Sequence, residues 1–253
     1  MDEKRLDDYR YFLKDSIRKK LNFKNTDQNK GVPVPPIEKP YKKDAKLIDL
    51  PSPDMWENIP AQDITKAIAN RKSRRAYLDK SLCLEELAYL LWCTQGKRKK
   101  QVHGHAYRTV PSAGCRHAFE TYLAVLNVDS LKTGIYRYLP LSHQLVFEFS
   151  TDMLAEKMVI ASLNQPYPGN CAVSFIWSAI PYRMEWRYGI AAHKVIALDA
   201  GHVCQNLYLA CETISCGTCA IAAYDQEEID KLLRLDGEKE FVIYLAPVGK
   251  TRK

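Results

Sequence analysis

Residues 193–215 read HKVIALDAGHVCQNLYLACETIS. Ile196, Ala200, Val203, Leu207, Cys211 and Ile214 recur at steps of three and four, the period of one helical face. Cys204 and Tyr208 form a second row beside it. An apolar stripe this wide predicts a helix buried on more than one side. Gly201 sits inside it, where glycine costs about 1 kcal/mol against alanine. It therefore marks a close helix–helix approach, as at a two-fold interface.

Outward from this helix, strands and helices mix without a strict alternation. Downstream, DQEEIDKLLRL predicts a short helix and EFVIYLAPVG a last strand. Upstream, CAVSFIW (171–177) is mostly apolar, so it should lie in the interior of a sheet. Residues 152–163 read as helix. GIYRYLP and QLVFEF read as a hairpin across 140–143, and 120–128 as a strand before it. Leu84, Leu87, Leu90, Leu91 and Trp92 predict a helix capped by Ser81 and closed by Gly96. QDITKAIANRKS, with Ile64, Ala67 and Ile68, predicts one more. The class is α+β: one sheet with helices on both faces.

Residues 1–53 differ from the rest. The first 30 form a charged, partly helical arm, and GVPVPPIEKPYKKDAKLIDLPSP (31–53) is rich in proline. It cannot be one continuous helix. Ile37, Tyr41, Leu47, Ile48 and Leu50 give it apolar surface to bury, so we expect an extended leader laid over a body at 54–253.

The 253 residues are 46% hydrophobic, enough for one large core. No run of about 18 apolar residues occurs, and the charged N-terminus lacks the apolar centre of a signal peptide, so a cytoplasmic, non-membrane protein is expected. Eight cysteines without such a signal point to reduced thiols. Cys216 and Cys219 form a C-x-x-C late in the chain, with no second pair at zinc spacing, so buried thiols are expected and no metal. The net charge of +7 is concentrated in 71–75, in KRKK (97–100) and in the tail Lys250, Arg252 and Lys253. No aromatic stacking platform accompanies these clusters, which argues against nucleic acid.

The sharpest cluster is NRKSRRAY (70–77), four cations in five positions at a predicted helix end. Helix C-termini favour cations, and water would satisfy the rest. The alternative is a single phosphate. A monoester carries about −1.5 to −2 charge and rewards paired guanidinium groups.

Four stretches in order decide between these. They are NRKSRRAY; RTVPSAGCRHAFETYL (108–123) followed by GIYRYLP; ALDAGHVCQNLYLACETISCGTCAIAAY (197–224); and VIYLAPVGK (242–250). Together they resemble the FMN-dependent nitroreductase superfamily, and within it the SagB-type branch of azoline dehydrogenases and their stand-alone relatives. The likeness runs from about residue 30 to the end. It implies a three-layer sandwich with a mixed, mainly antiparallel sheet, non-covalent FMN, a homodimer, and ping-pong hydride transfer from NAD(P)H to a small molecule. It places Arg71 and Ser73 at the phosphate, with Lys72 beside them, and Arg75 at the flavin pyrimidine edge. Lys72 and Arg74 are expected to be solvated charges. Pro111, Ser112, Ala113 and Gly114 would meet the isoalloxazine ring, commonly that of the partner subunit. The segment through Ala222 and Ala223 would approach flavin N5, where relatives often carry Glu-Gly or Gly-Gly. Lys250 and Arg252 would close the phosphate site.

No Gly-x-Gly-x-x-Gly is present, so no separate dinucleotide site is expected. Azoline dehydrogenases carry a Lys-Tyr pair where this chain has Arg187-Tyr188. Arginine keeps the charge but is a poor base, which weighs against an azoline-oxidising enzyme, although His193 or Lys194 could substitute. A non-catalytic flavin-binding protein is the remaining alternative. His202 is expected to make a core or interface hydrogen bond, with no catalytic part.

Overall fold

The computed structural model describes residues 3–98 and 104–252. Lys99, Lys100 and Lys253 of the basic clusters lie outside the described residues. Seven strands form one open sheet: β1 (Leu47–Asp49), β2 (Phe119–Val125), β3 (Gly134–Leu139), β4 (Gln144–Phe149), β5 (Val173–Ala179), β6 (Cys216–Thr218) and β7 (Phe241–Lys250). Their order is β1-β4-β3-β2-β5-β7-β6, and every strand pairing is antiparallel. The expected parallel component reduces to isolated bridges, Ser73 to Thr218 and Leu82 to Val128. As CAVSFIW required, β5 lies between β2 and β7 and is buried throughout.

The helices are α1 (Glu3–Leu13), α2 (Ile64–Asn70), α3 (Leu84–Gln95), α4 (Leu154–Ala161), α5 (Tyr182–Tyr188), α6 (Ala192–Thr213) and α7 (Gln226–Leu233). One core lies between the sheet and α3 with α6, where Ile196, Ala200, Val203, Leu207, Cys211 and Ile214 all point inward. A second core lies on the opposite face beneath α4 and α7, around Tyr122, Ile135, Met158, Ile176, Ile229 and Leu245. The architecture is α+β with helices on both faces, as the periodicities implied.

Local chemistry moved some boundaries. Cys83, and not Ser81, caps α3: Glu86 reaches back to accept from the Cys83 N–H at 3.1 Å. In α2, Asp63 caps the first turn by accepting from Lys66 N, but only Ala67 is buried. Ile64 and Ile68 stay 60% and 58% exposed. A Cβ placed on Gly201 would meet no other part of its own chain within 4 Å, so the approach it was expected to allow is not made inside one chain.

The proline-rich leader is clamped into the body, and it contributes β1 to the sheet edge. Its carbonyls accept from a row of buried side chains. Trp186 Nε1 donates to Val32 O at 2.9 Å, Arg108 to Ile37 O at 2.8 Å, and Arg137 to Lys39 O at 2.8 Å and Pro40 O at 3.1 Å. Beneath them Glu120, 2% exposed, binds Arg183 at 2.6 Å and Arg137 at 3.3 Å, and accepts the Lys39 N–H at 2.8 Å. Burial alone would push the Glu120 pKa up; the two guanidinium groups outweigh it and hold it below the ordinary value.

Candidate functional site

After α2 ends, Arg71 to Tyr77 runs extended past β6, with Ser73 bridged to Thr218 and the Arg74 N–H donating to Thr218 O at 2.9 Å. Side chains alternate along such a segment. Arg71 lies over the Tyr208 ring of α6 at 5.2 Å, and Ser73 Oγ is 2.9 Å from the Tyr208 hydroxyl. That hydroxyl also accepts from the Ala220 N–H at 2.9 Å. Tyr208 therefore ties the cationic segment to the stretch leading into Ala222 and Ala223. The helical period shows Tyr208 only as part of a second row; three partners on one phenol are a tertiary arrangement that no local pattern encodes.

Arg75 is exposed and lies 5.9 Å from the Tyr167 ring, whose hydroxyl helps hold its pKa up. Among the described residues neither Arg71 nor Arg75 has a carboxylate within ion-pair distance. Lys72 is exposed. Arg74 departs from expectation. It is not a solvated charge: its side chain is 21% exposed, pairs with Glu212 at 3.5 Å, and lies across Gly217. A Cβ on Gly217 would come within 2.4 Å of Arg74 Cδ, which explains the glycine of CGTC.

The tail divides. Arg252 shares a groove of about 470 Å³ with Arg75 and Tyr77. Lys250 instead donates to Glu86 and to Ile214 O. Ala222 and Ala223 are exposed, and Gln165 Nε2 holds the Ala223 carbonyl at 2.9 Å.

The Ser112–Gly114 turn lies elsewhere on α6. Asp199 accepts from the Ala113 N–H at 3.2 Å and from the Ser112 hydroxyl, which itself accepts from the His117 N–H at 2.9 Å. Burial raises the Asp199 pKa against both bonds. Pro111 is exposed at the start of the turn. Gly114, Cys115 and His117 all have positive φ, at 59°, 57° and 48°. Two of them are not glycine, so the turn is held in a costly conformation by what surrounds it. Asp199 and Tyr208 are about nine residues apart, or roughly 13 Å of helix rise. One chain therefore carries two separate clusters on α6: the cationic segment with Tyr208, and the turn with Asp199.

Of the other residues singled out in the sequence, His202 borders the turn cluster and His193, Cys216 and Cys219 have partners of their own. His202 is exposed, with Nδ1 3.9 Å from Asp199. His193 is exposed and bonds Glu185 at 2.8 Å. Cys216 and Cys219 face different cores, and all eight cysteines are free thiols. No group of three His, Cys, Asp or Glu converges as a metal site among the described residues. Nor, among them, is any helix long and apolar enough to cross a membrane.

Two unneutralised guanidinium groups, a serine hydroxyl and a tyrosine-anchored backbone form a donor set with the chemistry of a phosphate site. Comparison with known proteins gives the family. The nitroreductase family model matches residues 68–250. A nitroreductase homologue from Methanocaldococcus jannaschii is 29% identical over 203 residues, covering 80% of this chain and 96% of its own. Among solved structures, a nitroreductase-type protein from Ralstonia eutropha superposes with a TM-score of 0.68 at 22% identity, over 87% of this chain and 99% of that one. One from Anabaena variabilis gives 0.62 at 23%, but this chain spans only 38% of its length. A chain of the Escherichia coli microcin synthetase McbBCD complex, solved with truncated pro-MccB17 bound, gives 0.61 at 18% identity. The match runs from the end of α2 to the end of β7 and takes in both clusters: the chain belongs to the nitroreductase family and is an oxidoreductase.

Proposed function

We propose that this oxidoreductase is FMN-dependent and reduces a small molecule at the expense of NAD(P)H in a ping-pong cycle. The observation that carries the reading is the pair Arg71 and Arg75. Their guanidinium groups stack on tyrosines, beside the Ser73 hydroxyl, with no carboxylate to neutralise them among the described residues. The residues fit a phosphate monoester: Arg71 and Ser73 hold it, and Arg252 approaches through the groove it shares with Arg75. Arg75 would put positive charge at the pyrimidine edge, which favours a reduced, anionic ring. When bound, the flavin supplies hydride acceptance and donation at N5. The methyl side chains of Ala222 and Ala223 leave the backbone free to approach it.

A homodimer completes this reading. On α6, Leu198 is 55% exposed and Gly201 is open; on α2, which packs against α6, Ile64 and Ile68 are exposed as well. Packing a second copy there would cover that apolar surface and bring one chain's Ser112–Gly114 turn towards the other's Arg71 cluster.

The SagB-type alternative, dehydrogenation of a peptide azoline, has one observation in its favour. Arg187 and Tyr188 of α5 sit directly against Gly114. Anaerobic titration of the purified protein separates the readings. Bleaching of bound flavin by NADH or NADPH is expected. Protein that takes up no FMN, or releases FAD on denaturation, overturns the proposal. Flavin that neither nucleotide bleaches points to the non-catalytic or dehydrogenase readings.

A further inference from the structure

Two arginines near the Ser112–Gly114 turn have no anionic partner among the described residues. Arg116 is fully buried, yet its guanidinium meets no carboxylate among the described residues: its partners are the Arg183 carbonyl at 3.1 Å, His105 Nδ1 at 3.5 Å, the Pro35 carbonyl at 3.5 Å and the Trp186 ring at 5.0 Å. Arg187 is half-buried, lies 5.6 Å from the Tyr188 ring, and pairs with no carboxylate among the described residues. Burial, then the neighbouring guanidinium groups of Arg187 and Arg183, hold the Arg116 pKa below its ordinary value. The buried acids nearby are already engaged: Glu120 is shared between Arg183 and Arg137, and Asp199 accepts from the Ala113 N–H and the Ser112 hydroxyl. Glu185, on α5 itself, faces His193. Positive charge is thus in excess here, and removing charge from water without a counter-charge is costly.

The surplus is aimed at the turn. A Cβ at Gly114 would stand 2.5 Å from the Tyr188 hydroxyl and 2.9 Å from Arg187 Nε. Only a residue without a side chain lets both groups lie against the turn. A guanidinium and a phenol side by side offer the planar, charged and directional donors that a carboxylate takes. The end of α5 does attract a cation through its dipole, but that would favour Arg187 anywhere over the last turn and does not call for the glycine.

We propose that Arg187, with Tyr188 beside it, is an anion subsite that selects a carboxylate-bearing small molecule as the substrate. The inference rests on the flavin reading above, in which the Gly114 turn borders the isoalloxazine ring. The carboxylate on Arg187 then fixes which part of the molecule lies over the ring, and the buried Arg116 charge strengthens the hold from behind. Arg187 recognises; it transfers no proton, because its guanidinium stays charged.

The test uses benzoate as the probe and benzamide as its uncharged counterpart. Binding to FMN-loaded protein is read by perturbation of the flavin spectrum, and binding to flavin-free protein by calorimetry. Benzoate should bind and benzamide should bind at least about tenfold more weakly. Arg187→Gln should lose benzoate by a similar factor, and Arg187→Lys should recover part of it. Each variant's thermal unfolding is measured alongside, so that misfolding is not mistaken for lost recognition. Equal binding of benzoate and benzamide, or unchanged benzoate binding in Arg187→Gln, overturns the proposal. If the protein takes up no FMN, the flavin reading fails, while the calorimetric comparison still decides whether Arg187 holds an anion. If benzoate binds through Arg187 without disturbing a flavin that is present, the subsite does not face the ring and the substrate assignment is wrong.

Discussion

Arginine is used in opposite ways in two regions of this molecule. Under the leader, Arg108, Arg137 and Arg183 are 1–3% exposed and spend their donors on backbone carbonyls, Gln95, Glu148 and Glu120. Along 71–75, Arg71 and Arg75 lie on tyrosine rings, reach solvent and have no carboxylate beside them among the described residues. A guanidinium whose terminal nitrogens are taken up inside the core is closed to a ligand and acts as structure. One left open is a binding group held ready. Charge density along the sequence does not separate the two; the number of donors already engaged does.

The largest expected effect lies on the buried side. Glu120→Ala leaves Arg183 and Arg137 buried without their shared carboxylate and should cost about 3–5 kcal/mol in denaturant unfolding. A cost below about 1 kcal/mol, the scale of an exposed pair, would mean that the arginines hold the leader through their carbonyl bonds and Glu148 without Glu120.

On the other side, Arg71→Ala should weaken FMN binding by about 2–5 kcal/mol, by analogy with losing one partner of a buried charged pair. The flavin-free protein should unfold within about 0.5 kcal/mol of the parent. Lys72→Ala should leave affinity nearly unchanged. Equal losses at 71 and 72 would make the cluster diffuse charge, and the contrast between the two regions would fail.

Acid stability sharpens the comparison. His117 is buried next to Arg108, and burial followed by that charge pushes its pKa down to about 2. Below the ordinary histidine value of about 6.5 the unfolded chain takes up a proton that the folded chain refuses. Stability should therefore fall with pH from that point, by up to about 1.4 kcal/mol per unit. Glu120 acts later and in the same direction, because its depressed pKa stabilises the fold above its unfolded value and that contribution fades as the pH drops through the folded one. His117→Gln should flatten the limb between about pH 6.5 and 4.5. An unchanged limb would show that His117 charges without cost.

The smallest effect concerns the tail. Arg252 lines the groove with Arg75, whereas Lys250 is committed to Glu86. Arg252→Ala should lower FMN affinity by no more than about 1 kcal/mol and reduce its salt sensitivity, as for an exposed pair. Dissociation constants at two salt concentrations that match the parent's would remove Arg252 from the site.

Much of the fold is local chemistry and could be read directly. The six inward positions of α6, the apolar run of β5 and the β3–β4 hairpin follow from side-chain period alone, because burial of a helix face or a strand repeats at fixed spacing. The choice of Arg71, Ser73 and Arg75 over Lys72 and Arg74 came from the family resemblance; the extended course that turns neighbours to opposite sides emerged only in the structure. What only the tertiary structure decided is where donors find acceptors. Tyr208 takes up Ser73 and Ala220 from distant parts of the chain, and Lys250 turns to Glu86. Arg74 packs over Gly217, and Arg116 is buried with no acid beside it among the described residues. Such partnerships depend on through-space distances between segments far apart in sequence. Period and composition carry no record of those distances, so the sequence named the charged groups and the packing determined which of them remained free to bind.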